Sequence, residues 1–185
     1  MPSIAGHMAI AKRVSEKLNI NSPDFIRGNL LPDLYNDKVK SHFKINGKKY
    51  MIPDIDKAVK DLDIKKDLYL GYICHLLLDK YYFDEYMIKY EGNLFDDTII
   101  YNDYDIINHK IVDYFKLDLD YIVECLNNYS ITINNRKLEK NIECLLANIN
   151  GKTNILDVDD FINFLDKISN RIANELRGIM EENNG

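Results

Sequence analysis

The sequence has no tryptophan, three cysteines and four histidines among its 185 residues. Cys74, Cys125 and Cys144 are odd in number and include no Cys-x-x-Cys pair. That excludes a disulfide framework and predicts reduced thiols that pack as small hydrophobic side chains. No apolar run is long enough to cross a bilayer: the greasiest stretch, from Leu68 to Leu78, is interrupted by His75 and followed by Asp79. The N-terminal MPSIAGHMAIAKR lacks a basic segment followed by an apolar one, so no secretory leader is expected and a cytoplasmic location is. A surplus of basic charge is also missing. With a formal net charge of −6, the chain carries no nucleic-acid footprint and no attraction to anionic lipid surfaces. An acidic protein can still act on phosphate esters, because bound divalent cations reverse the local field. Internal repeats and low-complexity tracts are absent.

What is present reads as an all-α fold in a single helical domain over residues 1–185. The 46% hydrophobic content suits a globular core of that length. Residues 5–18 carry His7, Ala11, Val14 and Leu18 at helical spacing. Ser22-Pro23-Asp24 starts a second helix, which Pro32 is expected to stop near Leu31. Residues 33–52 read as a long polar connection, and a short helix follows Pro53. The segment 66–90 is a buried helix, since it is too long and too evenly apolar for a strand. Residues 94–102 read as a linker. Helices are predicted over 103–116, 118–128, 136–149 and 157–181, with a brief extended piece at 130–135.

The chemistry concentrates on His7, His42, His75 and His109. His75 and Asp79 stand four residues apart, and i,i+4 side chains share a helix face with about 5–6 Å between Cβ atoms. Both can reach one ion. Gly71, one turn earlier, leaves room for another backbone or an ion to approach. His109 and Asp113 repeat the spacing. A carboxylate on the core side of an apolar helix is costly unless paired or bound to a metal, so Asp79 is the most informative residue. It has two oxygens and could bridge two ions. Imidazole with carboxylate suits Zn²⁺ or another first-row divalent metal. His7 points inward from the first helix, Asp33 sits at the Pro32 turn, and His42 lies in the polar loop. Each alone is an ordinary core, turn or loop residue; together they point to a metal cluster.

In chain order the pieces are Met-Pro-Ser-Ile-Ala-Gly-His7, Phe25-Ile-Arg-Gly-Asn-Leu-Leu-Pro-Asp33, Ser41-His42-Phe43, Gly71-Tyr-Ile-Cys-His75-Leu-Leu-Leu-Asp79 and His109-Lys-Ile-Val-Asp113. This order resembles the zinc-dependent phospholipase C family, whose all-helical fold is shared with the S1/P1-type nucleases. The resemblance spans roughly residues 1 to 115, the Gly71-to-Asp79 piece with its upstream Pro-Asp and Ser-His being its most specific part. It implies two or three zinc ions. One is held by Asp33, His42, His75 and Asp79, and a second by His7 and the bridging Asp79. A third takes His109, Asp113 and the residue six positions after Asp79. That residue is a histidine in the secreted members and Glu85 here; Asp113 stands where they have a glutamate. The resemblance further implies hydrolysis of a phosphodiester or phosphomonoester, with a small phosphoester or phospholipid head group as substrate and Asp33 as the catalytic residue that orients or deprotonates the attacking water. A histidine–aspartate-dyad phosphohydrolase would need a His-Asp dipeptide, which does not occur. The non-enzymatic alternative is a helical interaction protein that keeps the fold and the metals without turnover.

Overall fold

In the computed structural model, the described residues are 2–47, 49–90, 97–127 and 135–184. They form helices α1 (Ile4–Leu18), α2 (Pro23–Leu34), α3 (Lys38–Ser41), α4 (Ile55–Asp61), α5 (Asp67–Tyr81), α6 (Asp97–Phe115), α7 (Leu119–Asn127), α8 (Asn135–Leu146) and α9 (Val158–Asn184). Among the described residues the fold is all-helical apart from one hairpin. Strands β1 (Lys44–Asn46) and β2 (Met51–Pro53) pair antiparallel with Ile45 opposite Ile52.

Local chemistry accounts for most boundaries. The Ser3 hydroxyl accepts the Gly6 N–H at 3.1 Å and caps α1, while Asn19 closes the helix in the left-handed region. Asp37 and Asp54 cap α3 and α4 in the same way as Ser3. Pro23 occupies the first turn of α2, as expected, but the Ser22 side chain makes no cap bond.

Pro32 does not stop α2. The helix continues through Pro32 to Leu34 with these residues buried, so packing outweighs the missing N–H. Asp33 is therefore a residue of a helix's last turn, not of a free loop. The expected polar connection after it is in fact α3 and the hairpin. The α6 helix starts at Asp97, inside the stretch read as a linker. The extended piece expected at 130–135 falls almost entirely outside the described residues.

The contact of α2 with α5 positions the functional groups. A Cβ placed on Gly28 would lie 1.8 Å from the Leu68 carbonyl oxygen, and one on Gly71 would lie 2.1 Å from that of Phe25. The two backbones meet where only glycine fits. Gly71 thus makes room for a second backbone. Helix α1 packs against α2, α5, α6 and α9, and its inner face from Ile4 to Ala11 is fully buried. From α6, the buried Asp103 carboxylate accepts the backbone N–H groups of Asn154, Ile155 and Leu156 at 2.7–2.9 Å, fixing the approach to α9. No helix among the described residues is long and apolar enough to cross a membrane.

Candidate metal centre

Five side chains from four places in the chain converge in the core. His7 comes from the first turns of α1, Asp33 from the last turn of α2 and His42 from the residue after α3. His75 and Asp79 come from successive turns of α5. His7, His42, His75 and Asp79 are completely buried, and Asp33 nearly so. The i,i+4 spacing puts His75 Nε2 3.7 Å from Asp79 Oδ2. His42 Nε2 lies 3.5 Å from Asp79 Oδ2 and 3.5 Å from Asp33 Oδ1. On the other side, His7 Nε2 lies 3.6 Å from Asp79 Oδ1, and its ring stacks on that of His75 with centroids 3.8 Å apart.

Hydrogen bonds fix which nitrogens face inward. His75 Nδ1 is 2.6 Å from the Asn29 carbonyl oxygen, which can only accept. Ser41 Oγ donates to the Pro32 carbonyl at 2.9 Å, leaving its lone pairs for His42 Nδ1 at 2.9 Å. Both imidazoles therefore carry their proton on Nδ1 and turn an unprotonated Nε2 to the centre. Those two Nε2 atoms are 3.2 Å apart. Two lone pairs at that distance repel unless a cation lies beside them. The orphaned atoms agree: both nitrogens of His7 and both oxygens of Asp79 are buried without a hydrogen-bond partner. Unsatisfied buried groups of this kind cost about 1–3 kcal/mol each, and more when charged. Divalent ions would satisfy both Asp79 oxygens and one nitrogen of His7. The residues group into His7, His75 and Asp79, and Asp33, His42 and His75, with ligand atoms in each group within 4.8 Å of one another.

The model of zinc-dependent phospholipase C matches residues 6–163. The chain belongs to the zinc-dependent phospholipase C family. No curated protein and no solved structure matches it. In this phospholipase C family member, the donor set of three imidazoles and two carboxylates is one that zinc accepts.

The electrostatics suit ligands. Burial pushes the His75 imidazole down to about 3, with His7 contributing, so it stays neutral with its lone pair free. Burial would raise the carboxyl of Asp79, but the contact with His7 and the surrounding imidazoles of His75 and His42 outweigh it and hold the group below the usual carboxylate range. Asp33 behaves alike: His42, His75 and Lys38 overcome burial and keep it well below the carboxylate range. Unfolded His75 takes up a proton below about pH 6.5, whereas folded His75 does so only near 3. The metal-free protein should therefore lose stability as pH falls through that window. Urea unfolding of chelated protein at pH 7.5 and pH 5 should differ by about 2 kcal/mol, the pH 7.5 sample being more stable.

Glu85, His109 and Asp113 lie outside both groups. Glu85 is exposed on the π-helical turn Tyr82–Tyr86 and forms an ion pair with Arg171 at 2.5 Å. His109 is half-buried and Asp113 exposed. The face of α6 turned to the centre carries Tyr104 and Asn108, both buried, which line the cavity that Asp33 also lines. At about 100° per residue, His109 is rotated about 100° from Asn108 and about 140° from Tyr104, and Asp113 lies about 180° from Tyr104.

Sequence reasoning missed the groups that support the ligands. Asn29 holds His75 through a main-chain oxygen, which no side-chain pattern reveals. Ser41 stands inside the Ser41-His42 piece, so its role was within reach. Lys38 Nζ contacts Asp33 Oδ1 at 2.6 Å and the Asp33 carbonyl at 2.8 Å. The phenols of Tyr82 and Tyr104 hydrogen-bond to each other in the core. Ser41→Ala should weaken metal binding by about 10–100-fold, since partners that orient a ligating imidazole contribute on that scale; chelator competition measures it.

Proposed function

We propose that this protein is a metal-dependent phosphoester hydrolase of phospholipase C type, built on a two-ion centre. Asp79 carries the proposal. Its Oδ1 faces His7 and its Oδ2 faces His42 and His75, with neither oxygen hydrogen-bonded. That is the arrangement of a carboxylate shared between two ions. One ion would be held by Asp33, His42, His75 and Asp79 Oδ2, the other by His7 and Asp79 Oδ1. Divalent ions there supply water activation at neutral pH and charge stabilisation on phosphoryl oxygens.

The protein's own groups set the rest. Asp33 lines the cavity and, of the five converging side chains, is the one with any exposure. Its carboxyl is held so acidic by His42, His75 and Lys38 that it accepts hydrogen bonds well but takes up a proton poorly. Asp33 therefore orients the attacking water and substrate rather than abstracting a proton. Lys38 fixes the Asp33 oxygen and places a positive charge beside the phosphoryl group. Asn29 and Ser41 keep the imidazoles aligned, and the apolar surroundings exclude bulk water.

The test combines metal analysis of protein purified without chelators with a generic phosphodiester assay. About two zinc ions per chain and turnover abolished by chelator are expected. Asp33→Asn should cost turnover by 100-fold or more, on the order of a lost transition-state contact, with folding retained. Protein that purifies metal-free and takes up none would overturn the reading. Metal retained without turnover on any phosphoester would instead support the non-catalytic binding protein.

A further inference from the structure

Beside the centre lies a cavity of about 410 Å³, lined by Asp33 and by residues of α3, α6, α8 and the start of α1. Its charged lining is three lysines and two carboxylates. Lys38 from α3 and Lys137 and Lys140 from α8 all line it, with Lys137 Nζ also donating to the Tyr35 carbonyl at 2.5 Å. The opposing carboxylates are Asp33, already engaged by Lys38, and Asp105. Lys38 and Lys137 are near enough for the charge of Lys38, after burial, to lower the Lys137 ammonium. Like charges gathered at one mouth in a chain of net charge −6 call for an anionic ligand. A second observation qualifies that ligand. Asn108 is 1% exposed and lines the same cavity; its Nδ2 donates to the Cys144 carbonyl at 3.2 Å, while its Oδ1 has no partner. A buried acceptor without a partner, on a residue of the cavity wall, calls for a donor such as a hydroxyl.

Resting on the hydrolase reading above, we infer that the cavity takes the alcohol side of the substrate, and that this side is a phosphorylated polyol. Its phosphate sits at Lys137 and Lys140, a hydroxyl donates to Asn108 Oδ1, and the scissile phosphoester lies at Asp33 and Lys38. Lysine serves as a point charge for phosphate, and its hydrogen bonds to charged oxygens are among the stronger ones.

The experiment compares glycerophosphoinositol 4-phosphate, glycerophosphoinositol and glycerophosphocholine as substrates of the metal-replete protein, at low and high salt. The phosphorylated diester should be preferred in kcat/KM by about tenfold or more, with the preference shrinking in salt. In a Lys137→Ala/Lys140→Ala variant of unchanged circular dichroism, the ratio should fall towards one. A wild-type ratio near one, a preference for the choline diester, or a ratio unaffected by the double substitution would overturn the inference. Calorimetry with inositol 1,4-bisphosphate separates it from the hydrolase reading. If ions bind but no diester is cleaved, that reading fails, and lysine-dependent binding of the bisphosphate still supports the cavity's assignment. Absence of binding, or binding indifferent to the two lysines, overturns it.

Discussion

Asp79→Asn is expected to abolish metal binding at the centre and, with it, the stabilisation that metal provides. The side chain is completely buried, and its two oxygens serve opposite sides of the cluster. An amide keeps the volume but loses the charge, and its nitrogen turns a donor towards one set of imidazoles. No rotamer of asparagine satisfies both sides. In the wild-type protein each ion held at a thousand times its dissociation constant contributes about 4 kcal/mol. At this chain length 1 kcal/mol moves Tm by about 2–4 °C, so saturating zinc should raise Tm by about 8–16 °C per ion over the chelated protein. In Asp79→Asn that zinc-induced shift should vanish, together with the zinc content after dialysis. Thermal scans with and without zinc measure the first and elemental analysis the second. A variant that keeps the full shift would show that the histidines bind without this carboxylate, and the shared-ligand geometry would be refuted.

Gly71→Ala should damage both stability and the centre. The added Cβ would sit 2.1 Å from the Phe25 carbonyl oxygen and 3.0 Å from the Asn29 nitrogen, both backbone atoms of α2. Neither can rotate aside, so α2 and α5 must separate by more than an ångström. Overpacking of this kind costs about 3 kcal/mol. The same seam holds the 2.6 Å contact of His75 Nδ1 with the Asn29 oxygen, and it sets the distance of Asp33 from His75. Zinc affinity should therefore fall beyond what destabilisation alone explains. Gly178→Ala is the control: on α9 an added Cβ meets nothing within 4 Å, and alanine should stabilise that helix by about 1 kcal/mol. Urea unfolding of both variants, with and without zinc, checks the pair. Equal behaviour of the two would remove the close approach of α2 and α5 from the account.

The contrast between α5 and α6 explains how far residue patterns reach. On α5 the pattern was sufficient, because the helix is apolar all round. A histidine and an aspartate one turn apart within it have no solvent to face, so they must serve something inside. On α6 the same His-x-x-x-acid spacing, at His109 and Asp113, sits in an amphipathic helix. There the phase of the helix against its neighbours decides what faces inward. The core positions Ile100, Tyr104, Ile107 and Ile111 set that phase and bring Tyr104 and Asn108 to the cavity, leaving Asp113 in solvent. Residue type drew attention to the histidine, whereas packing selected its neighbour.

Read alone, the sequence determined the helical class, the burial of α5, the pairing of His75 with Asp79, and the candidacy of His7, Asp33 and His42. Those follow from local periodicity and from the cost of burying charge, which hold whatever the surroundings. Only the tertiary structure decided that Pro32 lies within a helix, that Gly71 admits the α2 backbone, and that Asp79 divides its oxygens between two sets of imidazoles. It alone turned both Nε2 atoms inward through Asn29 and Ser41, and gathered Lys38, Lys137 and Lys140 at one opening. These depend on the distances and rotations between elements, which are set by packing between segments far apart in the chain.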